Sequence, residues 1–184
     1  MDIEKYIQMF FSDIENNSIE VYNEFSLQHE LGIFLRNEIS KPYKVEFERN
    51  ISFFYKDADC VKREIDIVIY HPDMNDKYAI ELKFPNNGQH PESMFQFIKD
   101  IKFMEEVKQM GFTHTYVATY VRDRLFYDGR KVDGIYSYFR NHNTLNGEIK
   151  KPTGKKDEVI DIQGNYNIDW LPLENKARYY WISI

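Results

Sequence analysis

Residues 62–83, KREIDIVIYHPDMNDKYAIELK, decide how the rest of this chain is read. Two short apolar runs flank a turn-like centre, HPDMND, in which His71-Pro72 and Asn75-Asp76 supply the punctuation. The runs predict strands over 63–71 and 77–84, and each carries charge where a core strand would not. Asp66 interrupts Ile65, Ile67, Val68 and Ile69, while Glu81 and Lys83 straddle Leu82 after Tyr78, Ala79 and Ile80. Strand side chains alternate between faces, so Glu81 and Lys83 point one way and Leu82 the other. The bland reading is a solvated edge bearing a surface charge pair. The sharper one is a site in which two carboxylates and an ammonium hold a hard metal ion and activate a water.

Outward from this stretch the periodicity changes. Ile3, Tyr6, Ile7, Phe10, Phe11 and Ile14 predict a helix over 2–15. After a break at Asn16-Asn17-Ser18, with Asn17 or Ser18 as cap, a second helix is predicted over 19–39. Its apolar stripe is Leu27, Leu31, Phe34, Leu35 and Ile39, and Glu30 borders it. Residues 43–56 alternate as a strand bent near Arg49-Asn50. Downstream, the loop 85–90 leads into a helix over 91–110, with Pro91 at its start and Gly111 at its stop. That helix is apolar on two sides: Met94, Phe97, Ile98, Ile101 and Met104 on one, Phe103, Val107 and Met110 on the other. It therefore packs between the sheet and a further element. THTYVATYV, 113–121, is a strand by composition. Residues 134–140 read as a short helix or strand, 141–157 as a polar loop, and 159–162, 166–170 and 178–184 as late strands.

The 184 residues fit one domain, 1–184, with 42% hydrophobic, 16% aromatic and 29% charged residues, a composition of packed globules rather than disordered chains. Net charge is −6, which disfavours a dedicated nucleic-acid coat protein but not an enzyme whose carboxylates are offset by a metal. One cysteine, Cys60, excludes an internal disulfide and a cysteine-based zinc cluster, and the five histidines lack metal-ligand spacing. The acidic amphipathic start is unlike a signal peptide, and no long apolar run predicts a membrane span. The expectation is a soluble, cytoplasmic protein.

Magnesium, or manganese in its place, takes oxygen ligands and keeps several waters. Asp66 and Glu81 supply such ligands, the Leu82 backbone carbonyl is a third, and Glu30 is a candidate for a second ion. Lys83 is suited to orient or deprotonate the attacking water, or to stabilise the charged transition state. At these residues the chain resembles the PD-(D/E)XK nuclease superfamily, whose pattern is an Asp in the second core strand and Glu-X-Lys in the third. Here these are Asp66 in REIDIVIY and Glu81-Leu82-Lys83 in YAIELKF; Ile65 stands where the family's name has Pro.

The resemblance spans about 19–121. It implies a restriction-endonuclease-like α/β core, α-β-β-β-α-β, with a mixed sheet flanked by helices and a β-rich C-terminal extension over 122–184. It implies a catalytic set of Asp66, Glu81 and Lys83, joined by Glu30 from the first core helix and Gln96 from the helix after Glu-X-Lys. Asp100 follows Gln96 where one subgroup has Tyr. The activity implied is metal-dependent hydrolysis of phosphodiesters, with DNA as partner. Arg63, His90 and Lys99 are candidate phosphate contacts, though Arg63 also suits a pair with Glu64 or Asp76, His90 a helix-entry role, and Lys99 a solvated face. The basic run Lys150, Lys151, Lys155, Lys156 reads as a solvated loop, and Trp170 and Trp181 as core. A non-catalytic member of the same fold, binding nucleic acid or protein, is the rival reading. A hydrolase of small phosphorylated substrates lacks a Gly-rich loop to support it. DNA versus RNA and a homodimeric state stay open.

Overall fold

In the computed structural model, which describes residues 1–56, 60–86, 88–154 and 157–184, the two charged strands lie inside a six-stranded mixed sheet. Helices α1 (Ile3–Glu15) and α2 (Glu24–Glu38) lead into strands β1 (Lys44–Asn50), β2 (Glu64–Tyr70) and β3 (Lys77–Lys83). Then come α3 (His90–Gln109), β4 (His114–Val121) and the short α4 (Tyr136–Arg140). Strands β5 (Leu145–Lys150), β6 (Val159–Tyr166), β7 (Leu171–Pro172) and β8 (Arg178–Ser183) complete the order. The sheet runs β1-β2-β3-β4-β8-β7, and β5 and β6 form a separate hairpin. β3 and β4 are parallel and the other neighbours antiparallel. A parallel pair needs a long crossover, and α3 provides it. The fold is α/β, a mixed sheet flanked by helices.

Period-2 alternation divides the core between two faces. Ile67, Ile69, Ile80, Leu82, Tyr116 and Ala118 pack with α1 and α2. Val68, Ala79, Val117 and Val121 pack with α3. Asp66, Glu81 and Lys83 share the parity of this second set, so the sequence period alone turns them toward α3. The two apolar sides of α3 are both covered, since Ile149, Ile160 and Ile162 of the β5–β6 hairpin close the side away from the sheet. Buried Glu105 fastens that hairpin, accepting hydrogen bonds from the Gln163 N–H at 3.0 Å and the Gly164 N–H at 2.7 Å.

Several element boundaries differ from the sequence reading. α2 starts at Glu24, not near residue 19, because Asn23 and Ser26 form a reciprocal capping box: Asn23 Oδ1 accepts from Ser26 N and Ser26 Oγ from Asn23 N. The strand predicted to residue 56 ends at Asn50, whose side chain accepts from Ser52 N and opens a 3-10 turn over Ile51–Phe53. The segment read as a polar loop contains β5, and 134–140 resolves as α4. Residues 166–170 are not a separate strand: β6 runs on to Tyr166, and Trp170 packs on the α3-side core with its indole N–H donating to Phe139 O at 2.9 Å. Trp181 packs against the opposite core. Gly32 lets α2 lie against β1, since a Cβ there would fall 1.9 Å from the Phe47 ring. No helix among the described residues is long and apolar enough to cross a membrane.

Candidate active site

Asp66 stands where the sheet ladder breaks on both sides. Toward β1, Phe47 pairs with Ile67 and Arg49 with Ile65, but Glu48, which would face Asp66, is skipped and has φ 49. A left-handed non-glycine residue is costly, and such backbone clusters at functional sites. Toward β3, pairing ends at Ile67–Ile80, so the next pair would have been Asp66–Glu81. Side chains replace the lost ladder bonds. Gln28 Nε2 donates to Asp66 O at 2.8 Å and to Glu48 Oε1 at 2.5 Å. Asp66 N donates to Glu81 Oε1 at 3.3 Å, and Leu82 N donates to Asp66 Oδ2 at 2.7 Å.

Two ammoniums meet these carboxylates. Lys62, just before β2, bridges Glu81 Oε2 through a short ion pair and Asp100 Oδ1 at 2.9 Å. Lys83 Nζ lies 3.2 Å from Glu24 Oε1 and 3.6 Å from Asp100 Oδ2, and donates to Leu82 O at 3.1 Å. Glu24, the first residue of α2, is fixed in turn because its Oε2 accepts from Phe84 N at 3.0 Å. Glu81 is 0% exposed and Asp100 2%. The open side is a cleft of about 610 Å³ lined by Glu24, Phe25, Glu48, Lys62, Arg63, Glu64, Asp66 and Lys83.

Burial and mutual repulsion govern the charges. Burial pushes the Asp66 carboxyl up to about 6, against the pull of Lys83 and Lys62. Glu81 is raised well above the ordinary carboxylate range, by burial first and then by Asp66 and Asp100. Burial opposes the charge of both lysines, yet each is held above the ordinary range: Lys62 by Asp100 and Glu81, Lys83 by Asp100 and Glu24. The site is thus short of positive charge, with both ammoniums firmly protonated.

A hard divalent cation fits that shortage. Asp66, Glu81 and Asp100 are oxygen donors of the right type, and Asp100 Oδ2 is buried without a hydrogen-bond partner. Lys62 stands between two of the three, and among the described residues no three His, Cys, Asp or Glu side chains are grouped around one metal position. The donors fit in chemistry and charge, with an ammonium filling the gap between Glu81 and Asp100.

Of the residues singled out from sequence, Asp66, Glu81 and Lys83 converge, and Arg63 lines the same cleft. Leu82 O is present but accepts from Lys83, while its N–H serves Asp66. Glu30 and Gln96 make no hydrogen bond or ion pair with the cluster among the described residues. Glu30 is six positions past Glu24, about 240° around the helix. Gln96 is half-buried one turn before Asp100, which occupies the site instead. His90 Nε2 lies 2.6 Å from Asp123 Oδ2 with its ring on Phe126, a helix-entry contact. Lys99 pairs with Glu158 at 3.2 Å, on the hairpin side of α3. In the basic run Lys151 pairs with Glu92 and Glu158, whereas Lys155 and Lys156 lie outside the described residues.

Sequence reasoning missed Lys62, Glu24, Gln28 and Asp100 as members of the site. Asp100 carried a readable signal, a carboxylate within an apolar helical side. Lys62 carried none, being outside any periodic element. No family model matches the chain, and neither a curated protein nor a solved structure does.

Proposed function

We propose that this chain is a metal-dependent nuclease of the PD-(D/E)XK type, hydrolysing phosphodiester bonds in DNA with magnesium or manganese. The observation that carries this reading is the cation-deficient cluster of half-buried Asp66 with buried Glu81 and Asp100 at a double break in the sheet, open to a cleft that Asp66 and Lys83 border. Metal, when bound, supplies Lewis-acid polarisation of the phosphodiester and a water of lowered pKa. Asp66 and Glu81 would hold it, the first kept in line by Leu82 N. Lys83, held by Glu24 and Asp100, is placed to act as a charged group. It orients the attacking water or stabilises the negative charge of the transition state. Arg63, exposed at the rim, is the contact for an incoming phosphate.

One observation favours a second reading, a non-catalytic binding module of the same fold: the cleft is ringed by Glu24, Glu48 and Glu64, and the whole chain carries −6. Cleavage decides between them. Plasmid and branched DNA incubated with magnesium or manganese are cut by the wild-type protein, while Asp66→Ala and Lys83→Ala are each weaker by about a hundredfold or more. Equal cleavage by all three proteins, or none by any with either ion on DNA or RNA, sinks the nuclease reading.

A further inference from the structure

We propose that Lys62 is a tethered cation standing in the divalent-ion position between Glu81 and Asp100, exchanged for the metal on loading, and that Asp100 is thereby a further metal ligand. The inference rests on the metal-dependent reading of this site and goes beyond it. Two carboxylates as deeply buried as Glu81 and Asp100 are costly to keep ionised without a countercharge. In this protein the countercharge comes from one side chain that touches both.

That side chain is suited to leave. Lysine is a point charge on a flexible stem rather than a rigid fork. Lys62 sits ahead of β2, outside the ladder, with its side chain 27% exposed and lining the open cleft. A path out to water therefore exists. Asp100 Oδ2, buried with no hydrogen bond and 3.6 Å from Lys83 Nζ, is an unsatisfied oxygen on the carboxylate whose other oxygen Lys62 holds. A divalent ion would gain both carboxylates, plus Asp66 nearby, for the single positive charge it displaces.

The exchange predicts competition, tested on nucleic-acid-free protein. Mn²⁺ titrated by calorimetry binds Lys62→Met about tenfold tighter or more than wild type, since the competing ammonium no longer reduces the competent fraction. Equal or weaker binding, or no Mn²⁺ binding by either protein, overturns the exchange. A second measurement needs no variant. Amine acylation read by mass spectrometry finds Lys62 of the wild type slow without metal and several-fold faster at saturating Mn²⁺, with exposed Lys5 and Lys41 unchanged. A Lys62 rate indifferent to Mn²⁺ overturns it. The two readings fail separately: tighter Mn²⁺ binding by Lys62→Met with no cleavage of any nucleic acid supports the exchange and removes the nuclease. Metal-dependent cleavage with an indifferent Lys62 does the opposite.

Discussion

The two ends of the β2–β3 hairpin carry similar residues and treat them in opposite ways. At the turn end, Asp76 is surrounded by hydroxyls. Tyr43 makes a short hydrogen bond to its Oδ2, Tyr78 OH donates to the same oxygen at 3.1 Å, and Thr113 Oγ1 donates to Oδ1 at 2.7 Å. Burial alone would raise this carboxyl, but the three donors outweigh it and hold it below the ordinary range. At the open end burial opposes the ionisation of Asp66, with Asp100 adding to it and the pull of Lys83 and Lys62 only partly offsetting it. The turn end is a closed polar network, complete within the chain. The open end leaves buried Asp100 Oδ2 without a hydrogen-bond partner. Perturbation in that direction, beside a cleft, supports the proposal that the open end is a functional site.

The contrast breaks most sharply under one substitution made twice. Asp66→Asn keeps an oxygen for Leu82 N while removing a charge that burial and Asp100 oppose more strongly than Lys83 and Lys62 favour it. It abolishes cleavage, yet raises the stability of the metal-free protein at pH 8 by about 2 kcal/mol. Asp76→Asn removes charge-assisted hydrogen bonds from a satisfied network and lowers stability by about 1–2 kcal/mol, leaving cleavage intact. Denaturant unfolding with chelator present measures both. The same sign at the two positions would mean that the open end is a structural network like the other.

A change of pH sharpens the comparison at the turn end. Asp76 is depressed in the folded protein, so its contribution is present above the unfolded carboxyl value of about 3.9 and is lost as pH falls through the folded one. Wild-type stability therefore drops below about pH 4 more steeply than that of Asp76→Asn. Parallel acid limbs for the two proteins would show that the hydroxyl cage contributes nothing through the charge.

What was legible beforehand follows from where the physics is written. β2, β3, β4 and α3 announce themselves because their periods are local, and both covers of α3 follow from its two apolar sides. The partner that supplies the second cover was not legible: LNGEIK, over β5, offers Leu145 and Ile149 around Gly147, and gains its order from packing on α3. In the site, Asp66, Glu81 and Lys83 stood out as charges within apolar strands. Lys62 and Gln28 join them by tertiary convergence, which no spacing encodes, while Asp100 shows only as a carboxylate within an apolar side of α3. Glu30 stands out for bordering the apolar stripe of a helix begun near residue 19, whereas the Asn23–Ser26 capping box makes Glu24 the first residue of that helix, over the end of β3.

That boundary yields the smallest effect. Glu24 touches Lys83 rather than the proposed metal donors, so it is a positioning residue, and its half-exposed ion pair contributes under about 1 kcal/mol by the usual measure of such pairs. Glu24→Gln retains an acceptor for Phe84 N but loosens the ammonium it holds. On a DNA substrate it lowers kcat by about threefold to tenfold with KM unchanged, because the loss falls on an interaction strengthened in the transition state. Glu30→Gln, on another side of the same helix, alters neither constant. If the two substitutions act alike, Lys83 is positioned by Asp100 and its own strand, and the first turn of α2 does no more than close the edge of the cleft.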